Sequence, residues 1–157
     1  MTSKDIPYNF SSNNPIEHYA EVRKSHIHGL GLFAKKLIPK GTAWWHARPQ
    51  DVQIITKAQF LKLDNSPKTL LITNFIDSLL TYAYYDEIFD ILIFCLDDSK
   101  YVNHSYDPNT GTIEEHALNA IAKRDILPGE EITEDYSAYT MCEWLQKYKI
   151  YFDPSCW

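Results

Sequence analysis

Cysteines and long apolar runs are scarce in this sequence, and each scarcity excludes a class of protein. The three cysteines, Cys95, Cys142 and Cys156, are an odd number without a C-x-x-C pair, so we expect no disulfide framework and a reducing compartment. No apolar stretch approaches the roughly 18–20 residues of a membrane span, and the polar first residues lack the apolar core of a signal peptide. A cytoplasmic or nuclear protein is expected, and a secreted effector route stays open.

Basic residues are few in the second part of the chain. Residues 1–90 carry ten Lys and Arg against nine Asp and Glu, whereas residues 91–157 carry five against twelve. Nucleic-acid binding needs clustered cations that neutralise phosphates, so no direct nucleic-acid partner is expected, and no membrane partner either. The acidic half suits a basic partner such as a lysine-rich peptide, or it serves solubility alone.

The order of the local patterns predicts an α+β domain that is mainly β. Its 157 residues, 45% of them hydrophobic, can form one core without a metal. We expect a flexible lead-in over residues 1–16, a helical insert near 50–78 and a C-terminal helix with an aromatic tail over 139–157. The predicted strands are 19–24, 32–37, 42–47, 79–85, 88–96, 112–116, 118–123 and 131–133, and the predicted helices are 56–63, 66–76 and 140–149.

Three short segments carry the chemistry. The first is the turn from Ser25 to Ala34, in which Gly29 and Gly31 form a G-x-G pair. Without side chains there, the backbone can come close to a ligand, although a plain hairpin turn has the same pattern. It is no dinucleotide-binding loop, because neither a third glycine nor a helix follows.

The other two segments lie in the second half of the chain. Asn103 and His104 follow an apolar strand and offer an amide and an imidazole at one point, or else they only build the turn with Pro108 and Asn109. The third segment, residues 127–136, is a Pro-Gly turn and a strand that ends in a tyrosine.

Together and in this order, the segments resemble the G-x-G, N-H-S-x-x-P-N and G-E-E-[IL]-x-x-D-Y motifs of the SET-domain family. The resemblance spans roughly residues 19–137. It implies a β-clip-like fold of small sheets with a C-terminal pseudoknot. It also implies a protein-lysine N-methyltransferase that uses S-adenosylmethionine and acts on a lysine-containing protein or peptide.

The resemblance also assigns roles to residues. Tyr136 is the implied catalytic residue, and Arg23 is a weaker candidate for the region around the cofactor carboxylate. The implied cofactor-binding residues are His28, Gly29, Leu30, Gly31, Tyr101, Asn103, His104 and Tyr136. The candidates for the channel of the substrate lysine are Tyr82, Tyr84, Glu134 and Tyr139.

The sequence departs from the family pattern in two places. It lacks the cysteine-rich segments that bind zinc before and after the core in many members, so the resemblance is to a small stand-alone member without a structural metal. The aromatic tail, including Trp144 and Tyr148, is a candidate for closing the site, or it packs on the core. Glu134 occupies the position, usually Phe or Tyr, that tunes how many methyl groups fit.

Two other functions remain open from the sequence. One is a SET-fold binding or scaffold module without catalysis, which Glu134 and the missing zinc segment favour and the intact Tyr136 disfavours. The other is a metal-dependent hydrolase, which no H-E-x-x-H motif supports. Its ligands would be His26, His28, His46 and His104.

Overall fold

A computed structural model of the chain describes residues 8–112, 118–138 and 143–156, and these residues form two compact units. We call Tyr8–Val52 with Leu96–Asp135 the strand unit. The helical unit consists of Gln53–Cys95 and the described residues from Tyr136 onward. Taken together, the described residues form small sheets with few helices, which confirms the predicted α+β, mainly β class.

Most of the short strands follow one another along the chain, and helices lie between the groups of strands. The strands are β1 (Ala20–Lys24), β2 (Leu30–Ala34), β3 (Ala43–His46), β4 (Val52–Thr56), β5 (Ala83–Asp86), β6 (Ile91–Cys95), β7 (Asn103–His104), β8 (Thr110–Gly111), β9 (Asn119–Ala122) and β10 (Glu131–Glu134). The α-helices are α1 (Ile16–Tyr19), α2 (Lys57–Asp64), α3 (Leu70–Tyr82) and α4 (Lys149–Phe152).

Two sheets form the strand unit. The larger has the order β1-β2-β10-β7, and β10 runs antiparallel to β2 but parallel to β7. The smaller has the order β3-β9-β8. Because β10 lies between β2 and β7, the segment after the Pro-Gly turn brings the G-x-G strand and the Asn103-His104 strand into one sheet.

Asn109 ties β10 to its surroundings from a buried position. Its Nδ2 donates to the backbone oxygen of Glu131 at 2.7 Å, and its Oδ1 accepts from the backbone nitrogen of Thr133 at 2.9 Å. With 1% exposure, the amide satisfies buried backbone groups of β10 as a neighbouring strand would. Asn109, the last residue of the second motif, therefore has a structural role.

Aromatic side chains join the C-terminal segment to the core of the helical unit. The centroid of the Trp144 ring lies 5.3 Å from that of Phe60 and 6.0 Å from that of Tyr85. The Trp144 Nε1 donates to Asp90 Oδ1 at 2.7 Å. Tyr148 packs against the same core. Of the two alternatives that the sequence left for these side chains, closing the site or packing on the core, the structure shows packing on the core.

The second helix of the insert begins later and runs further than the predicted helix 66–76. Thr69 caps α3, with its hydroxyl accepting from the backbone nitrogen of Ile72, so the helix begins at Leu70 and not at Ser66. It continues to Tyr82, and the strand predicted from Leu79 is wrong in its first four residues. Ile76, Leu79 and Leu80 are buried at helical spacing, and this packing outweighs the strand propensity of the tyrosine-rich run.

Other segments also differ from their predictions. The strand β4 was not expected, and residues 143–148 form a 3₁₀-helix in place of an α-helix. The predicted strand 112–116 and the predicted helix start at 140 fall largely outside the described residues. None of the helices that the structure describes is long and apolar enough to cross a membrane.

A buried carboxylate should make the helical unit sensitive to acid. Burial by itself raises the pKa of Asp64, but hydrogen bonds from Lys147, Tyr148 and Lys68 outweigh it and lower the pKa to about 2. A lowered folded-state pKa stabilises the fold above the unfolded value near 4, and that contribution, roughly 2 kcal/mol, is lost as the pH falls from about 4 to about 2.

We therefore expect Asp64→Asn to be less stable than wild type in urea unfolding at pH 5, and the difference to shrink towards pH 2. Asp77→Asn, at an exposed carboxylate on α3, is the control and should show a smaller change in stability. A difference between Asp64→Asn and wild type that is the same at both pH values would contradict this account.

Candidate active site

The G-x-G segment forms a tight, exposed turn between β1 and β2. Gly29 has a φ of +47°, a conformation in which a side chain is strained. The backbone nitrogen of Ser25 donates to the Gly29 oxygen at 2.9 Å, and the Ser25 hydroxyl accepts from the backbone nitrogen of Ile27 at 2.8 Å. The predicted cofactor-binding residues His28–Leu30 are exposed on this turn.

Asn103 holds the turn from the neighbouring segment. Its Nδ2 lies 3.2 Å from the His28 oxygen, 3.0 Å from the Leu30 oxygen and 2.8 Å from Glu131 Oε1. Two amide hydrogens are thus shared among three acceptors. One side chain brings the first and second segments together, as expected if they form one site.

Glu131 completes this arrangement from β10. Its carboxylate accepts from the Ser25 hydroxyl at 2.8 and 2.9 Å and from Asn103. A Cβ at Gly31 would overlap Glu131 Oε1 and would lie 2.9 Å from its Cδ and 3.0 Å from Ser25 Cβ. The second glycine therefore leaves the space that the carboxylate occupies, and a side chain there would force Glu131 to move. We call Ser25, Gly31, Asn103 and Glu131 the turn network.

His104 lies beside this network on β7. It pairs in parallel register with Glu134, and its Nδ1 lies 3.7 Å from Asp135 Oδ1. The imidazole meets the Tyr106 ring edge to face at 4.4 Å between centroids. The backbone nitrogen of Ser105 donates to the Glu134 oxygen at 2.9 Å, which extends the pairing by one residue.

The remaining predicted residues lie in different places. Tyr101 ends a 3₁₀ turn just before β7, and Arg23 forms an ion pair with Glu21 on β1. Three tyrosines belong to the helical unit: Tyr82 at the end of α3, Tyr84 on β5, and Tyr136 at the start of a 3₁₀ turn. The predicted channel residue Tyr139 lies outside the described residues.

Sequence reasoning missed Ser25 and Glu131 as site residues. Ser25 stands four residues before Gly29, and Glu131 is the second glutamate of the third segment. A small hydroxyl residue at the entrance of a glycine turn is a common turn signal. Nothing in the local pattern tells that it pairs with a carboxylate 106 residues away.

The electrostatics of the site favour a cationic ligand. Glu131 and Glu134 lie on β10 and Asp135 follows the strand, and Glu131 Oε1 shares Asn103 Nδ2 as its donor with the Leu30 oxygen of the turn. Within the ranges that the structure covers, no three His, Cys, Asp or Glu side chains are grouped as metal ligands. Of the histidines proposed for a hydrolase, His46 lies on β3, where its Nε2 is 2.9 Å from the Asn9 oxygen.

Comparison with known proteins gives the family of the chain. A model of the SET domain matches residues 29–137, well over half of the chain, and the chain belongs to the SET-domain family. Among solved structures, it is similar to the methyltransferase domain of human histone-lysine N-methyltransferase SETMAR, with a TM-score of 0.53 and 24% identity. The match covers 75% of this chain and 44% of that one. A comparison with curated proteins gave no match.

Proposed function

We propose that this protein is an S-adenosylmethionine-dependent protein-lysine N-methyltransferase. The observation that carries the proposal is the turn network. It fixes an exposed glycine turn of the SET family against the asparagine of the second motif through hydrogen bonds of 2.8–3.2 Å. Such a pre-formed turn can bind a ligand without first losing conformational entropy.

The chemistry of the turn fits the proposed methyl donor. S-adenosylmethionine supplies a methyl group on a sulfonium, and the ammonium of its amino-acid part is balanced by a carboxylate, so its net positive charge lies at the reactive sulfur. Backbone carbonyls near Gly29 and the carboxylates on β10 attract such charges. We assign cofactor binding to His28–Gly31, Tyr101, Asn103, His104 and Tyr136.

The acceptor lysine has to be neutral to react. A free lysine has a pKa near 10.4, and both an apolar channel and a nearby cation lower it. We assign to Tyr136 the role of orienting the amine through its hydroxyl, since a phenol is protonated near neutral pH. Tyr82, Tyr84, Tyr139 and Glu134 are the proposed channel residues. The proton leaves the amine for solvent before transfer.

A basic protein or peptide is the proposed substrate. The excess of seven acidic residues in the second part of the chain favours attraction of lysine-rich segments. An extended peptide could add to a sheet edge through main-chain hydrogen bonds while its lysine enters the channel. Glu134 at the tuning position could attract an already methylated, cationic amine.

Removal of the Asn103 side chain should weaken the site. Asn103→Ala deletes the bonds to His28, Leu30 and Glu131, each worth about 1 kcal/mol. We expect the Kd for S-adenosylmethionine, measured by isothermal titration, to rise at least about tenfold. Asn74→Ala, at an exposed position on α3, is the control and should bind like wild type.

The titration also separates the proposed function from the alternatives. Equal binding by wild type and Asn103→Ala would remove the turn network from the cofactor site. Absence of binding by folded wild type would refute the methyltransferase proposal and favour the scaffold module.

A further inference from the structure

The N-terminal segment that precedes the matched family region is held in place within the strand unit. The backbone nitrogen of Ser11 donates to the Ala47 oxygen at 2.9 Å, and Ile16 is only 5% exposed. Asn9 and His46 are in contact through a 2.9 Å hydrogen bond. These contacts differ from the predicted flexible lead-in for the residues from 9 to 16, and they raise the question of what the segment does.

Asn14 uses its whole side-chain amide to join three distant parts of the chain. Its Nδ2 donates to Asp51 Oδ2 at 2.9 Å and to Asp97 Oδ2 at 2.7 Å. Its Oδ1 accepts from the backbone nitrogen of Ile16 at 3.1 Å, which orients the amide towards both carboxylates. The partners lie 37 and 83 residues away along the chain.

Asp97 stands at the start of the turn that leads to the second motif. Its Oδ1 accepts from the backbone nitrogen of Ser99 at 3.1 Å and caps the 3₁₀ turn Asp98–Tyr101. The turn closes with a 3.2 Å bond from the Val102 nitrogen to the Ser99 oxygen, and Asn103 follows directly. Displacement of Asp97 would therefore move the residue that holds the glycine turn.

The charges of Asp51 and Asp97 require a hydrogen-bond donor at position 14. Burial raises the pKa of Asp51, but hydrogen bonds from Arg48 and Asn14 outweigh it and hold that pKa below its usual value. Asp97 accepts from neutral donors, Asn14 and the Trp45 indole at 2.7 Å among them. A carboxylate at position 14 could donate to neither aspartate and would repel both.

We infer that Asn14 is a positioning residue of the cofactor site, acting through Asp97 on the segment that carries Asn103. The role at the cofactor rests on the proposed function. The mechanical link from Asn14 to residues 99–105 depends only on the contacts described above.

The test compares Asn14→Asp with Asn13→Asp, which changes the net charge equally at an exposed neighbour. Hydrogen exchange should become at least about tenfold faster at the Val102 and Ser105 amides of Asn14→Asp, since one lost charge-assisted bond is worth about 1.5–3 kcal/mol. In the same variant, the Kd for S-adenosylmethionine should rise about tenfold, and Asn13→Asp should match wild type in both measurements.

The possible results separate the inference from the proposed function. Unchanged exchange at Val102 and Ser105 in Asn14→Asp overturns the inference, as does faster exchange with an unchanged Kd. Faster exchange in a series whose wild type does not bind S-adenosylmethionine refutes the proposed function and the role at the cofactor, but leaves the mechanical link. If Asn14→Asp does not fold, Asn14→Ala against Asn13→Ala gives the same comparison without the added charge.

Discussion

Replacement of Tyr136 by phenylalanine should reduce methyl transfer on the order of 100- to 1,000-fold, because a positioned polar group at the reaction centre has effects of that size. Tyr136 is half-buried at the start of a 3₁₀ turn, two residues after β10 ends. The variant loses one hydroxyl and keeps its ring, so its fold should stay close to that of wild type, and its Kd for S-adenosylmethionine should change far less than its rate of methyl transfer.

Tyr151→Phe is the matched control for this experiment. This variant also loses one tyrosine hydroxyl from the helical unit. The Tyr151 hydroxyl donates to Asp77 Oδ1 at 2.7 Å on an exposed surface. Radiolabelled methyl transfer at saturating cofactor measures both variants. An equal loss of activity in the two variants, or a rate of methyl transfer in Tyr136→Phe equal to that of wild type once the cofactor is saturating, would contradict the assigned role.

Gly31→Ala is the second change with a large expected effect. The new methyl group overlaps the Glu131 carboxylate and approaches Ser25 Cβ to 3.0 Å. Glu131 can yield only if it breaks its bonds to Ser25 and Asn103, so the whole turn network is disturbed. We expect the Kd for S-adenosylmethionine to rise on the order of 10- to 100-fold, equivalent to two or three lost hydrogen bonds.

Gly111→Ala provides the control for the steric argument. A Cβ there would meet only the flexible end of the exposed Lys123 side chain, at 3.0 Å from its Cε, and the lysine can move aside. Its cofactor affinity should stay within about twofold of wild type. If Gly31→Ala binds as well as Gly111→Ala in isothermal titration, the turn network does not shape the cofactor site.

The sequence predicted those parts of the site whose chemistry is local. A glycine pair in a turn, an Asn-His pair after an apolar strand and a tyrosine after a Pro-Gly turn each occupy a few neighbouring residues, and their order indicated the family. The class of fold followed from a series of predicted short strands that a helical insert interrupts.

Contacts between distant residues could not be predicted in this way. Asn14 lies in a polar segment that the sequence predicts to be flexible, but its side chain is hydrogen-bonded to Asp51 and Asp97. Likewise, α3 continues through Tyr82 because Leu79 and Leu80 are buried in the core of the helical unit. In both cases tertiary packing outweighed the local propensity.

The central claim is that this protein transfers methyl groups to lysine, and one measurement tests it most directly. The purified chain is incubated with methyl-labelled S-adenosylmethionine and a pool of basic proteins and peptides, and the products are hydrolysed to amino acids and separated. We expect label in methylated lysine with wild type and Tyr151→Phe, and at least about 100-fold less with Tyr136→Phe. Label in another amino acid, or none above the enzyme-free background, would contradict it.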